Sequence, residues 1–182
     1  MNVFRPLMLA FVLGAAFSGA IPSVSAQGQG ASGTTAQPRP IEPDEFLRLA
    51  YSSATLQGQI AKLAASRDTR PEVKGYAAAA VDFRTSLLQR IEAFARERNM
   101  PLPSVKEFEH QVIIENLEPL DYLALSRRYA EVQMQALEQE IGIYQAANRA
   151  PNQEVKAFAS QVLPDLERQQ AEARKMYETV KP

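Results

Sequence analysis

The 182-residue chain contains no cysteine and only one histidine, His110. Without cysteine it can form no disulfide, has no thiol nucleophile, and offers no residue for the lipid anchor of a lipoprotein. A serine or threonine nucleophile needs a base, which one histidine hardly supplies, and no Gly-x-Ser-x-Gly motif occurs. Gly58, Gly75 and Gly142 are isolated inside predicted helices, so none of them belongs to a glycine-rich phosphate loop. These absences predict a protein that is not an enzyme and binds no cofactor.

The sequence also lacks an excess of charge of either sign, because the formal net charge is −1 and no basic or acidic cluster occurs. This balance argues against nucleic acid as a partner and against strong attraction to anionic membranes. Peripheral membrane attachment through an exposed amphipathic helix face stays an open alternative. A protein partner or envelope component is the expected kind of contact, and the oligomeric state is left open.

A long apolar run occurs only at the N-terminus. Arg5 precedes an apolar core over residues 7–17, Pro22 breaks that core, and small residues follow up to Ala26. This order is typical of a secretory signal peptide with cleavage after Ala26. The run is interrupted before the roughly 20 apolar residues that a membrane-spanning helix needs. We therefore expect residues 1–26 to be removed and the protein to reach the periplasm or the extracellular space.

Residues 27–43 and 44–180 differ in composition. The first range is rich in Gly, Ser, Thr, Gln and Pro, which predicts a disordered linker. In the second range, apolar residues recur at steps of three and four. This spacing predicts an all-α domain, an antiparallel four-helix bundle with a short extra connecting helix over 104–116.

The boundaries of the four long helices can be predicted from caps, prolines and turns. The first helix should begin with Asp44 as N-cap, and the second should begin with Pro71 in its first turn. The third should begin near Asp121 and the fourth near Gln153, with Pro164 inside it. The predicted apolar stripe of the first helix is Phe46, Leu49, Leu56, Ile60 and Leu63. The predicted stripe of the third helix is Tyr122, Leu125, Tyr129, Val132, Ala136 and Ile143.

Short motifs along this domain resemble, in order and spacing, a family of exported bacterial proteins of unknown function with a ferritin-like helical bundle. The motifs are Asp44-Glu45-Phe46, Leu63-Ala64, Glu72-Val73-Lys74-x-Tyr76-Ala77, Val81-Asp82, Leu102-Pro103, Leu120-Asp121, Val155-Lys156-Ala157-Phe158-Ala159 and Leu163-Pro164. The resemblance covers Asp44 to about Met176. It implies a ferritin-like fold and a place in the cell envelope.

The chain departs from that family pattern at four positions where the resemblance implies histidine or glutamate. Gln57, Phe83, Gln133 and Gln169 occupy these positions. Glutamate and histidine on facing helices are the ligands of bundle-core metal sites, and amides or phenylalanine do not replace them. We therefore expect no metal there. The periodicity places Phe83 and Gln169 toward the core and the other two at its edge.

Four other residues are the remaining metal-ligand candidates. His110 has the spacing of a Glu-x-x-His motif with Glu107, but it lies in the connecting segment, where we expect a solvent-exposed histidine. The carboxylates Asp82, Glu131 and Asp165 could supply oxygen ligands or act as acid and base. The leading hypothesis is an exported, non-catalytic helical bundle with a structural, binding or stress-related role. The alternative is a ferritin-like metal-binding or redox protein that uses carboxylate ligands.

Overall fold

The computed structural model describes residues 40–67, 69–103 and 108–181, without the side chains of residues 108 and 109. The predicted signal peptide and most of the predicted linker lie outside these residues. The described part contains five helices and no strand, which confirms the all-α prediction. The helices are α1 (Pro43–Ser66), α2 (Pro71–Glu97), α3 (Phe108–Leu117), α4 (Tyr122–Asn148) and α5 (Gln153–Val180). None of these five combines the length and the apolar character that a membrane crossing requires.

Proline and asparagine define where three of the helices begin. Pro43 and Pro71 are the first residues of α1 and α2, a position at which the missing N–H costs no helical hydrogen bond. Asn152 caps α5, since its side-chain oxygen accepts hydrogen bonds from two backbone amides. The prediction of Asp44 as N-cap is wrong, because the helix begins at Pro43 and its N-cap residue is Glu42, two residues before Asp44. Asp44 lies in the first turn, where its negative charge interacts favourably with the positive end of the helix dipole.

The four long helices pack through apolar faces. Helix α1 contacts α2 and α4, helix α5 contacts α4 and α2, and the short α3 contacts α1 and α4. Buried side chains form two apolar clusters, one around Phe46, Leu137 and Phe158 and the other around Ile60 and Tyr129. Along α1 and α2, each cluster occupies one half of the helix, so the middle of both helices lies between the clusters.

The buried face of α1 differs from the predicted stripe. Leu49, Leu56 and Leu63 are only half-buried. The buried residues of this helix are Phe46, Leu47, Ala50, Ala54, Gln57, Gly58, Ile60, Ala61 and Ala64. The prediction followed the large aliphatic residues, whereas the interior face is made mostly of small ones, which allow neighbouring helices to approach closely.

Tyr122 was predicted to belong to the apolar stripe of α4, and this prediction is wrong. Its side chain is 48% exposed, and the buried face begins at Leu125. Tyr122 is the first residue of the helix, and Cα–Cβ bonds in helices tilt toward the N-terminus. A side chain at that position therefore projects beyond the helix end rather than over the core.

Candidate functional site

Three helices each contribute one polar side chain to the same point in the interior. Gln57 comes from α1, Arg84 from α2 and Glu140 from α4, and each side chain is at most 2% exposed. We call these three residues the core triad. An isolated buried charge costs several kcal/mol, so neither ion is stable there without its partner.

The core triad forms a closed ring of hydrogen bonds. Arg84 Nη1 donates to both carboxylate oxygens of Glu140, at 2.8 and 2.7 Å. Arg84 Nη2 donates to Gln57 Oε1 at 2.6 Å. Gln57 Nε2 closes the ring by donating to Glu140 Oε2 at 2.9 Å. Every side chain of the triad is thus bonded to both of the others, and the bonds to the two ions are charge-assisted.

The ring also determines the orientation of the Gln57 amide. Its oxygen must face the guanidinium of Arg84, which only donates, and its nitrogen must face the carboxylate of Glu140, which only accepts. The same nitrogen donates to Ser53 Oγ at 2.9 Å, one turn earlier on α1. Both N–H groups of Gln57 are therefore engaged, one toward the interior and one toward the helix surface.

Buried tyrosines and a second glutamine surround the core triad. The Tyr76 hydroxyl donates to Gln133 Oε1 at 3.4 Å, and the rings of Tyr76 and Tyr129 lie 6.3 Å apart. Among the described residues, the hydroxyls of Tyr129 and Tyr144 and the Nε2 of Gln133 find no hydrogen-bond partner. The interior of α4 is therefore markedly polar, which is rare because unpartnered buried polar groups are costly.

Burial is the main cause that raises the pKa of Tyr76, Tyr129 and Tyr144 well above the usual value for tyrosine. The carboxylate of Glu140 raises the pKa of Tyr76 and Tyr144 further, because a negative charge disfavours a phenolate nearby. The guanidinium of Arg84 acts in the opposite direction on all three. The phenols therefore stay neutral and do not act as bases.

The predicted depths of the four family-ligand positions are wrong. Gln57 and Gln133, expected at the core edge, are each 1% exposed. Phe83 and Gln169, expected to face the core, are half-buried. The large apolar residues predict that Phe83 faces the interior, but on α2 the side chain that lies there is that of Arg84. The Cζ atom of Arg84 lies 5.0 Å from the centroid of the Phe83 ring.

His110 was expected to be exposed to solvent, and this prediction is also wrong. Its side chain is only 8% exposed, and Nε2 lies 2.8 Å from Ser52 Oγ on α1. Helix α3 packs against α1 at this point, which removes the imidazole from water. Periodicity could not reveal this contact, since a helix of ten residues contains too few turns to define a face.

The structure does not bring the candidate carboxylates together. Asp82 is exposed, and Glu131 accepts a hydrogen bond from Arg128 at 3.1 Å. Asp165 accepts hydrogen bonds from Arg90 and Arg168. Within the described residues, no group of three or more histidines, aspartates and glutamates is arranged to hold a metal ion.

Sequence reasoning missed Arg84 and Glu140, although a signal for both is present. Arg84 continues the series of buried residues Ala77, Ala80, Leu87 and Ile91 on α2 at steps of three and four. Glu140 continues the series Gln133, Leu137, Tyr144 and Ala147 on α4 in the same way. Opposite charges in the inward register of two helices indicate a buried ion pair, provided that charged residues are not assigned to the surface beforehand.

We predict that Arg84→Met lowers the free energy of unfolding by about 3–5 kcal/mol at neutral pH, because Glu140 stays buried without its cation. Denaturant unfolding measures this loss. The control Arg174→Met, at an exposed position of α5, should change the free energy by less than about 0.5 kcal/mol. The double variant Arg84→Met/Glu140→Leu should recover part of the loss, because it removes the unpaired carboxylate but leaves the buried Gln57 amide without its two ionic partners. Equal losses for Arg84→Met and Arg174→Met would contradict the structural role of the ion pair.

We predict that three of the six tyrosines do not ionise in the folded protein at the usual tyrosine pKa of about 10. Because folding raises the pKa of these three tyrosines, the stability that depends on them is fully present below about pH 10. This stability falls as the pH rises further, since the unfolded chain then loses protons that the folded chain keeps. Ultraviolet titration of tyrosinate, compared with unfolding at each pH, measures this. In denaturant all six should ionise near their usual pKa, and Tyr129→Phe should reduce the late-titrating group from three to two. Ionisation of all six near pH 10 in the folded chain would refute the prediction.

Comparison with known proteins identifies a family but no individual relative. No curated protein and no solved structure matches the chain. The sequence pattern of one family matches residues 26–176, a range that contains the whole core triad and α1 through most of α5. The predicted resemblance to a family of unknown function is thereby confirmed at that level. The chain belongs to the family described as Domain of unknown function (DUF4142).

Proposed function

We propose that this chain is an exported, non-catalytic helical-bundle protein of the cell envelope with a structural, binding or stress-related role. The core triad is the observation that carries the proposal. In a helical bundle, a buried glutamate is the natural ligand for a core metal. Here both oxygens of Glu140 accept hydrogen bonds from Arg84, and one also accepts from Gln57. A guanidinium therefore supplies the positive charge that a metal would otherwise supply.

We also propose that the four long helices form an antiparallel, ferritin-like bundle, with α3 as the connecting helix. Each long helix contacts two others, which supports a closed arrangement of four. Two ion pairs between α2 and α5 support opposite directions for these helices. Arg90 on α2 pairs with Asp165, and Arg98, directly after the end of α2, pairs with Glu154, which lies earlier on α5 than Asp165 does.

Two features support export. The N-terminal sequence has the charged, apolar and small-residue regions of a signal peptide in the required order. The family match begins at residue 26, directly at the predicted cleavage site. A segment used only for targeting would lie outside the range that the family pattern matches.

We predict that the exported protein begins at Gln27, as measured by intact mass and N-terminal sequencing. Ala26→Arg should block cleavage, because signal peptidase requires small residues at the cut. Ser25→Gln should not block it, since the middle residue of the cleavage motif is unrestricted. Recovery of the uncleaved wild-type chain from the cytoplasm would contradict the proposed export.

We predict that protein purified from the periplasm contains only substoichiometric iron, manganese and zinc by elemental analysis. A chelator should leave its unfolding transition unchanged, because the positive charge beside Glu140 comes from the chain itself. One metal ion per chain that is lost in Glu140→Gln would overturn the non-metal proposal and favour the carboxylate-ligand alternative. Metal that is retained in Glu140→Gln but lost in Asp165→Asn would also overturn the non-metal proposal. That result would show that the metal ligands lie at the surface.

A further inference from the structure

Two clefts lie between α2 and α5. The first cleft, of about 500 Å³, is lined by residues at the end of α2 and the start of α5, including Phe94 and Phe158. The second cleft, of about 410 Å³, is lined by residues at the start of α2 and the end of α5, including Tyr76 and Met176. Both volumes fall in the range of about 300–1,000 Å³ that is common for small-molecule sites, which helical bundles often form between their helices.

The two clefts use the same positions of the two helices, counted from Pro71 in α2 and Gln153 in α5. One helix contributes its second, fifth, sixth and ninth residues, and the other its twentieth, twenty-third, twenty-fourth and twenty-seventh. In the first cleft these are Glu154, Ala157, Phe158 and Gln161 with Arg90, Ala93, Phe94 and Glu97. In the second cleft they are Glu72, Gly75, Tyr76 and Ala79 with Glu172, Lys175, Met176 and Thr179. Both helices also continue their first residue with Glu-Val-Lys, so the clefts are equivalent sites on two similar helices.

The features that the two clefts share define the molecule that both can bind, and an unpaired charge is not among them. Every charged side chain that lines either cleft, within the part of the chain that the structure describes, forms an ion pair with another side chain. These pairs are Arg90–Asp165, Arg98–Glu97 and Arg98–Glu154 in the first cleft and Arg70–Glu72 and Lys175–Glu172 in the second. Because a charged ligand would find no unpaired partner there, both clefts favour a neutral molecule.

An aromatic ring with open space beside it is the apolar feature common to both clefts. Phe158 and Tyr76 occupy the equivalent position, and the Phe158 ring lies 4.8 Å from that of Phe94. The residue before each ring is small. A Cβ atom at Gly75 would meet nothing within 4 Å beyond its chain neighbours and its own helix backbone, and the equivalent Ala157 carries only a methyl group. A flat ring fits such a space, since aromatic rings pack favourably at centroid distances of about 4.5–7 Å.

We propose that each of the two clefts binds one small neutral aromatic molecule, with its ring beside Phe158 in the first cleft and beside Tyr76 in the second. This inference goes beyond the proposed function, because it assigns a ligand class to sites outside the core triad and depends neither on export nor on metal content. Failure of either of those proposals therefore leaves it standing, and its own failure leaves them unaffected.

The first test is calorimetric titration of the purified protein with indole and two charged analogues. Indole is neutral, indole-3-acetate adds a negative charge to the same ring, and tryptamine adds a positive charge. Indole should bind with two molecules per chain, one in each cleft. Neither analogue should bind more tightly than indole, because the charges of both clefts are already paired. The absence of indole binding, a single molecule per chain, or tighter binding of either analogue would overturn the proposal.

The second test locates the bound molecules by filling each cleft in turn. Gly75→Leu in the second cleft and Ala157→Leu in the first should each lower the stoichiometry from two to one, and the double variant should bind none. Gly142→Leu is the matched control, since Gly142 is an exposed glycine of α4 that also has open space around it but lines neither cleft. This variant should keep both sites. Thermal unfolding verifies that all variants are folded. Indole binding that persists in the double variant would refute both sites.

Discussion

The ion pair between Arg84 and Glu140 joins two helices in the interior, and Gln57 joins a third helix to both. Hydrophobic attraction has no preferred direction, whereas these hydrogen bonds require one geometry. Rotation of α2 by one residue would replace the guanidinium with Phe83 or Thr85 and leave the carboxylate buried and unpaired. Since an unpaired buried ion costs several kcal/mol, the contact selects one register of α1, α2 and α4 over its neighbours.

The position of the core triad explains why the interior is divided. Apolar residues of α1 form one cluster before Gln57 and another after it, and those of α2 are divided in the same way at Arg84. Each cluster supplies hydrophobic stabilisation, which is non-directional and roughly proportional to the apolar area removed from water. The polar layer between them contributes specificity instead. A protein without disulfides depends on such internal contacts to define a single packing of its helices.

The elements of the fold could be predicted from the sequence because their signals are local. Pro71 marks the start of α2 and the residues before Gln153 mark the start of α5, since proline and asparagine act within one helical turn. It is harder to predict which side of each helix faces the interior. Hydrophobic periodicity assigns charged residues to water, so it excludes Arg84 from the core and predicts that its neighbour Phe83 faces inward. A buried charge is explained only by its partner, which lies 56 residues away in sequence and is invisible to a local pattern.

The core triad also links the stability of the fold to the chemistry of its surface. An isolated glutamine beside Ser53 could turn either its oxygen or its nitrogen toward the hydroxyl, and the serine would accept or donate accordingly. The buried charges remove this freedom, because Arg84 can only donate to Gln57 and Glu140 can only accept from it. Ser53 is thereby held as the acceptor of the hydrogen bond from Gln57. An interaction required for packing thus determines the polarity of a hydroxyl near the surface.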